Sequence, residues 1–163
     1  MKLSFRGRTA LILGGGSDMG LALAALLREE GVTVVPTHAS KAGREAVARR
    51  FPELASPRIE LGDHDFEALQ PILDAGVDYL VDLAQGDLEG LAAAAGDEAE
   101  GYLETQISGR LRLLRTVTRS MLPRRFGRLV FVSSTAAALP APGQAFYGAA
   151  KRAAEGLYQS LGL

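Results

Sequence analysis

Residues 9–20 read TALILGGGSDMG. An apolar run, Thr9–Leu13, meets a glycine cluster, and an Ala/Leu-rich stretch follows from Met19 to Glu30, closing at Gly31. This predicts a buried strand, a tight turn and a helix whose C-cap is Gly31. A strand–glycine turn–helix unit aims backbone N–H groups at a positive helix end and so suits a phosphate. Glycine turns also occur in βα units without a ligand, so the stretch decides the local fold before it decides function.

Outward from it, strands and helices alternate. Val32–Val35, β-branched throughout, predicts a second strand, and Ala42–Phe51 a helix halted by Pro52. Arg58–Leu61 is a weak third strand, Asp65–Ala75 a helix closing on Gly76, and Val77–Leu83 a fourth strand. A long helix is predicted over Asp97–Leu122, a fifth strand over Arg128–Ser133 and a last helix over Phe146–Leu161. Such alternation implies right-handed crossovers, hence a Rossmann-like, doubly wound parallel α/β sheet of about five strands with helices on both faces. Near-continuous apolar strands fit burial on both faces. Gln85–Gly96 (QGDLEGLAAAAG) and Leu139–Gly143 (LPAPG) read as the two irregular stretches.

At 163 residues the chain suits one domain. Eighteen basic against nineteen acidic residues leave a net charge of −1, which points away from nucleic acid and anionic membranes as partners. There is no cysteine, compatible with a cytoplasmic setting, and only two histidines, His38 and His64, so a metal site is not expected. The apolar run before the glycines is too short for a signal-peptide core or a membrane span.

Two further motifs carry chemistry. Tyr147 and Lys151 are four residues apart at the start of the last helix, on one face. A lysine beside a phenol favours phenolate and brings the phenol toward the range of an acid catalyst; a YxxxK pair is more commonly a core-edge tyrosine with a solvated lysine. Ser133 and Ser134 end the fifth strand, where an open parallel sheet forms its ligand crevice. They also read as simple strand-to-loop punctuation.

In this order, with Ser134 thirteen residues before Tyr147, the motifs resemble the short-chain dehydrogenase/reductase family, and GRLVFVSSTAAALPAPGQAFYGAAK (127–151) is similar to its serine-to-tyrosine region. The resemblance extends from Gly7 to Leu163 and is closest in kind to 3-oxoacyl-carrier-protein reductases. It implies an NAD(P)H-dependent oxidoreductase reducing a ketone or 3-oxoacyl thioester to an alcohol. Tyr147 is then the general acid, Lys151 holds the nicotinamide ribose and depresses the tyrosine pKa, and Ser134 polarises the carbonyl. Gln106 stands where the family commonly has an asparagine holding a relay water. The cofactor-binding set implied is Gly14, Gly16, Ser17, Asp18, Met19, Gly20, His38, Ser40, Lys41, Glu60, Leu61, Ala84 and Gln85, with Tyr147 and Lys151. Family members associate through their long and last helices, which implies a homodimer or homotetramer. They also run on to further strands and a substrate-covering loop, so 1–163 is expected to be one dinucleotide-binding domain lacking those parts.

The departures are as informative. Leu13 stands at the family's threonine and Asp18 at the middle glycine of TGxxxGxG. Asp18 reads as an N-cap competing with a phosphate for helix N–H groups, and its charge opposes a pyrophosphate by an amount of order 1–4 kcal/mol at ~4 Å. Asp82–Gln85 (DLAQ) replaces the usual NNAG. VVPTHASK (34–41) carries no acid for a ribose 2′-hydroxyl, while Ser40, Lys41 and Arg44 are near, which favours NADP over NAD. His38 reads as a surface histidine. Arg112, Arg115 and Arg119 read as a solvated helix face, and Arg124, Arg125 and Arg128 as a small basic cluster of the kind that receives an acidic carrier protein. A catalytically weakened nucleotide-binding or interaction module is the alternative that these departures support.

Overall fold

β1 (Thr9–Leu13) is the central strand of a four-stranded parallel sheet in the order β2–β1–β3–β4, with β2 at Thr33–Pro36, β3 at Tyr79–Asp82 and β4 at Arg128–Phe131. The description is of a computed structural model and covers residues 5, 8–86, 96–139 and 142–161. The register pairs Leu11 with Val35 on one side and with Leu80 on the other, and Val81 with Val130. The helices are α1 (Asp18–Glu29), α2 (Lys41–Arg50), α3 (Gln70–Ala75), α4 (Glu98–Leu103), α5 (Arg110–Met121) and α6 (Ala145–Leu161).

Strand alternation divides the core in two. Leu11 and Leu13 pack with Leu80 against Leu73 of α3 and Leu113, Leu114 and Val117 of α5. Ala10 and Ile12 point the other way, to Val34, Phe51 and Ala24 of α1. Both faces are therefore covered at β1, as the continuous apolar strands predict, whereas the edge strand β4 leaves Val130 50% exposed. The chain leaves β1 toward β2, then crosses back to β3 on the other side of β1. That reversal is the topological switch point where such sheets open a crevice at their strand ends.

Two elements differ from expectation. Arg58–Leu61 does not extend the sheet: a single parallel bridge joins Arg58 to His38, with His38 N–H donating to Pro57 O (3.1 Å) and Ile59 N–H to His38 O (2.8 Å). Beyond it the chain enters a local turn, in which the Glu60 N–H donates to Asp63 Oδ2 (3.1 Å) and the Asp63 N–H to Glu60 O (3.1 Å). The long helix is not continuous either. Between α4 and α5, Glu104–Gly109 forms a π-helical turn, and α5 passes at Leu122–Arg124 into a 3-10 turn that ends at Arg125, φ 52°. Gly109 sits against residue 61, where a Cβ would lie 1.9 Å from Leu61 O. Residues 87–95 of the first irregular stretch and 140–141 of the second lie outside the described residues. No helix among the described residues is long and apolar enough to cross a membrane.

Candidate active site

The four strand ends open on one groove of about 640 Å³, within the range of small-molecule sites. Its floor is the glycine loop after β1. Gly14 adopts φ 69°, a conformation that a side chain resists. Gly16 backs onto α2, where an added Cβ would lie 2.6 Å from Gly43 Cα, so this glycine serves the packing of the loop against α2.

Asp18 is not the N-cap. Ser17 is: its Oγ accepts from Gly20 N–H (3.1 Å) and donates to Gly14 O (2.8 Å). Asp18 is the first helical residue and is exposed to solvent at the groove. A serine hydroxyl reaches the third amide of the helix from outside it, which an acid one residue further along cannot do. The Gly16 N–H is used by Thr37 O (3.3 Å) and the Ser17 N–H by Gly14 O (3.0 Å). The Asp18 and Met19 amides, at the start of α1, have no protein acceptor among the described residues. They are the donors this loop offers an anion.

Beyond β2, His38 is a buried histidine, 8% exposed, in place of the surface residue expected. Its Nδ1 lies 3.0 Å from Ser56 Oγ. Burial lowers its pKa below the ordinary histidine value, the charges of Arg44 and Arg58 lower it further, and the contact with Ser56 works the other way. Ser40 lines the groove and caps α2, its Oγ accepting from Gly43 N–H (3.1 Å). Lys41 reaches into solvent, 3.8 Å from Glu45. Ile59 and Leu61 form an apolar wall, whereas the carboxylate of Glu60 is paired with Arg58 and does not line the groove.

The opposite wall is built by Ala84 and Gln85 after β3, by Ser133 after β4 and by Lys151. Lys151 is 5% exposed; its Nζ donates to Val132 O (3.1 Å) and lies 5.7 Å from the centre of the Tyr147 ring. Tyr147 Oη is 3.5 Å from Gln85 Oε1. Ser134 Oγ accepts from Ala136 N–H (3.2 Å) and caps the short turn after β4, while its neighbour Ser133 donates to Glu155 Oε1 (2.6 Å). Gln106 lies beneath, 6% exposed, with its Oε1 3.3 Å from Arg110 Nη1. The groove thus brings together the glycine loop, His38, Ser40, Leu61, Ala84, Gln85 and Lys151, with Tyr147 at its rim and Gly20 closing the loop from behind.

Sequence reading missed the buried polar centre below this wall. Arg110 (1% exposed) donates from Nε to Asp82 Oδ2 (2.7 Å), from Nη2 to Ala84 O (2.7 Å) and from Nη1 to Gln106 O (2.6 Å). Tyr158 Oη donates to the same Asp82 oxygen (2.8 Å). Burial, then the Asp82 charge, push the Tyr158 phenol far above its ordinary pKa, so it stays protonated. The available signal was local: Arg110 follows Gln106 by four residues and falls off the face marked by Arg115 and Arg119, both of which are exposed.

A doubly wound parallel sheet with a glycine loop at its switch point and a Tyr–Lys pair at the strand ends defines a nucleotide-binding oxidoreductase scaffold. The model of the family described as short chain dehydrogenase matches residues 8–163, and the chain belongs to that family. The 3-oxoacyl-[acyl-carrier-protein] reductase FabG of Escherichia coli (strain K12) is 29% identical over 98% of this chain and 68% of the relative. The reductase of the same name from Vibrio cholerae serotype O1 is 30% identical over the same shares. Among solved structures, a short chain dehydrogenase/reductase family protein superimposes with a TM-score of 0.83 at 28% identity, covering 97% of this chain and 68% of the other. A gluconate 5-dehydrogenase from Burkholderia cenocepacia J2315, in complex with NADP and tartrate, gives 0.79 at 26% identity, covering 97% and 66%.

Proposed function

We propose that this chain is the catalytic scaffold of an NADP-dependent ketoreductase that reduces a ketone or 3-oxoacyl thioester carbonyl to an alcohol. The carrying observation is the placement of Tyr147 and Lys151 on one face of α6, Lys151 lining the same groove as the glycine loop. The names of the FabG relatives support the acyl-thioester substrate class. The groove fits a dinucleotide: two unpaired helix-start amides, close-packed glycines and an apolar wall at Ile59 and Leu61 are in place for pyrophosphate and adenine. Bound there, the cofactor supplies the hydride that no side chain can.

The residues of the chain do the rest. Asp18 and Met19 amides hold the pyrophosphate. Ser40 and His38, with Arg44 nearby, receive a 2′-phosphate where an acid would repel it. Lys151 orients the ribose, and its ammonium lowers the cost of phenolate at Tyr147, which donates its Oη proton to the developing alkoxide. Ser134 polarises the carbonyl once its hydroxyl turns from the Ala136 amide. Self-association through α5 and α6 and a cytoplasmic setting complete this reading.

Tyr147→Phe, assayed with NADPH and a 3-oxoacyl thioester, is expected to lower kcat/KM by at least about 100-fold with an unchanged circular dichroism spectrum. Normal turnover in that variant would remove Tyr147 as the acid. A second reading, a nucleotide-binding module with weakened catalysis, is favoured by one observation: the Gln106 carbonyl is occupied by Arg110 at 2.6 Å. Saturable NADPH fluorescence without turnover on any 3-oxoacyl thioester selects it; no binding at millimolar NADPH excludes both readings.

A further inference from the structure

Below the groove wall, two buried cations and one buried carboxylate form a cluster in which only one of the cations, Arg110, is paired. Asp82 is fully buried, and its acceptor sites are taken: Oδ2 by Arg110 Nε and Tyr158 Oη, Oδ1 by the Ala84 N–H at 2.9 Å. Arg110 spends its remaining donors on the carbonyls of Ala84 and Gln106. Lys151 is left with a neutral partner, Val132 O, and no carboxylate lies within ion-pair distance of it among the described residues. Both cations lie beside the Phe131 ring, Arg110 Cζ 5.3 Å and Lys151 Nζ 4.9 Å from its centre, and the Arg110 charge acts on Lys151. A buried cluster of one anion and two cations is neutral only when the lysine is.

We propose that Arg110 is a positioning residue for Lys151: by engaging Asp82 it leaves the lysine as the uncompensated member of the cluster and so governs its charge state. The proposal rests on the reading of Lys151 as the site lysine. Every charged or titratable group facing the cluster acts in a defined sense. From β3, Asp82 favours the ammonium; from α5, Arg110 opposes it. From α6, Tyr158 stays protonated, Tyr147 is the phenol that Lys151 serves, and Glu155 is occupied by the Ser133 hydroxyl. Burial is the largest influence that lowers the lysine pKa, and the Arg110 charge the next. The outcome is a lysine that exchanges its proton nearer to neutrality than an ordinary one. Arg110 also grips Ala84, so the same guanidinium fixes the wall that bears Gln85 beside Tyr147.

The chain contains only three lysines, Lys2, Lys41 and Lys151, so protein labelled with ¹³C at lysine Cε gives three resolvable titration curves by NMR. The ¹⁵N spectrum of each variant reports folding. Asp82→Asn leaves Arg110 unopposed and is expected to move the Lys151 midpoint down. Arg110→Met frees Asp82 and is expected to move it up, by about one pH unit or more. The double variant Asp82→Asn/Arg110→Gln falls between them. If Arg110→Met does not fold, the double variant must still titrate above Asp82→Asn alone. A Lys151 midpoint that ignores these substitutions, or that moves the same way in both single variants, overturns the proposal. The readout is a proton equilibrium of the free protein, independent of turnover. An inactive protein that shows this order loses the ketoreductase reading and keeps the proposal; an active one without it does the reverse.

Discussion

Asp18 is the residue at which the loop departs from its family, and its surroundings decide how much that matters. It opens α1, where a negative charge favours the helix, and its side chain faces solvent and not the donors it was expected to cap. Water then screens its repulsion of a pyrophosphate. Asp18→Asn is expected to tighten NADPH binding by about two- to fivefold, measured by fluorescence titration at low salt, with the gain shrinking at high salt. A tightening above about a hundredfold would mean that the carboxylate turns into the groove. At this scale the sequence was legible where spacing alone sets geometry. Tyr147 and Lys151 share a helix face because they are four apart, and Gly14–Ser17 form the turn between β1 and α1 because strand and helix leave no other course. Arg110 was not legible, since its partner Asp82 is 28 positions away and a buried arginine looks like any other in a sequence. The Ser17 cap was masked by a neighbouring acid of similar propensity.

The break between α4 and α5 shows what an element owes to its neighbours. Nothing within residues 97–122 forbids a continuous helix; the cause lies across the molecule, at Leu61. Gly109 lets the helix backbone approach the Ile59–Leu61 segment, and the π turn that it ends delivers Gln106 and Arg110 to the sheet end. π turns occur disproportionately at functional sites for this reason, because one extra residue re-aims every side chain that follows. Gly109→Ala would place a methyl 1.9 Å from the Leu61 carbonyl oxygen. Backbone cannot yield as a flexible side chain does, so the expected loss is about 3 kcal/mol or more in urea unfolding, the upper range for overpacking. Gly101→Ala, where an added Cβ meets nothing within 4 Å, serves as the control and should be neutral or stabilising. Equal effects at the two positions would contradict the close approach. The weak strand at Arg58–Leu61 has the same lesson: it was read as a third strand, but after one bridge to His38 the chain turns, with Glu60 and Asp63 hydrogen-bonded to each other.

Across the whole molecule, the doubly wound order places the ends of all four strands at one groove and puts a buried lysine there. That placement couples the site to global stability. The pKa of Lys151 in the folded protein is lowered from the ordinary 10.5, through burial first and the Arg110 charge second. Between the folded midpoint and the unfolded value near ~10.4, the unfolded chain binds the proton and the folded chain does not, so stability rises with pH across that window. Below the folded midpoint both states are protonated and the full cost of the buried ammonium is present. Lys151→Met removes the cost without removing the stem that packs beside Phe131. It is therefore expected to be more stable than the parent at neutral pH by urea unfolding, with the gap narrowing as the pH is raised to about 9.5. All other titrating groups are common to both proteins, so the difference isolates this one residue. A gap that stays constant over that range would show that the lysine keeps an ordinary proton affinity, and the groove would then lack the internal field that sets it apart from a plain nucleotide cradle.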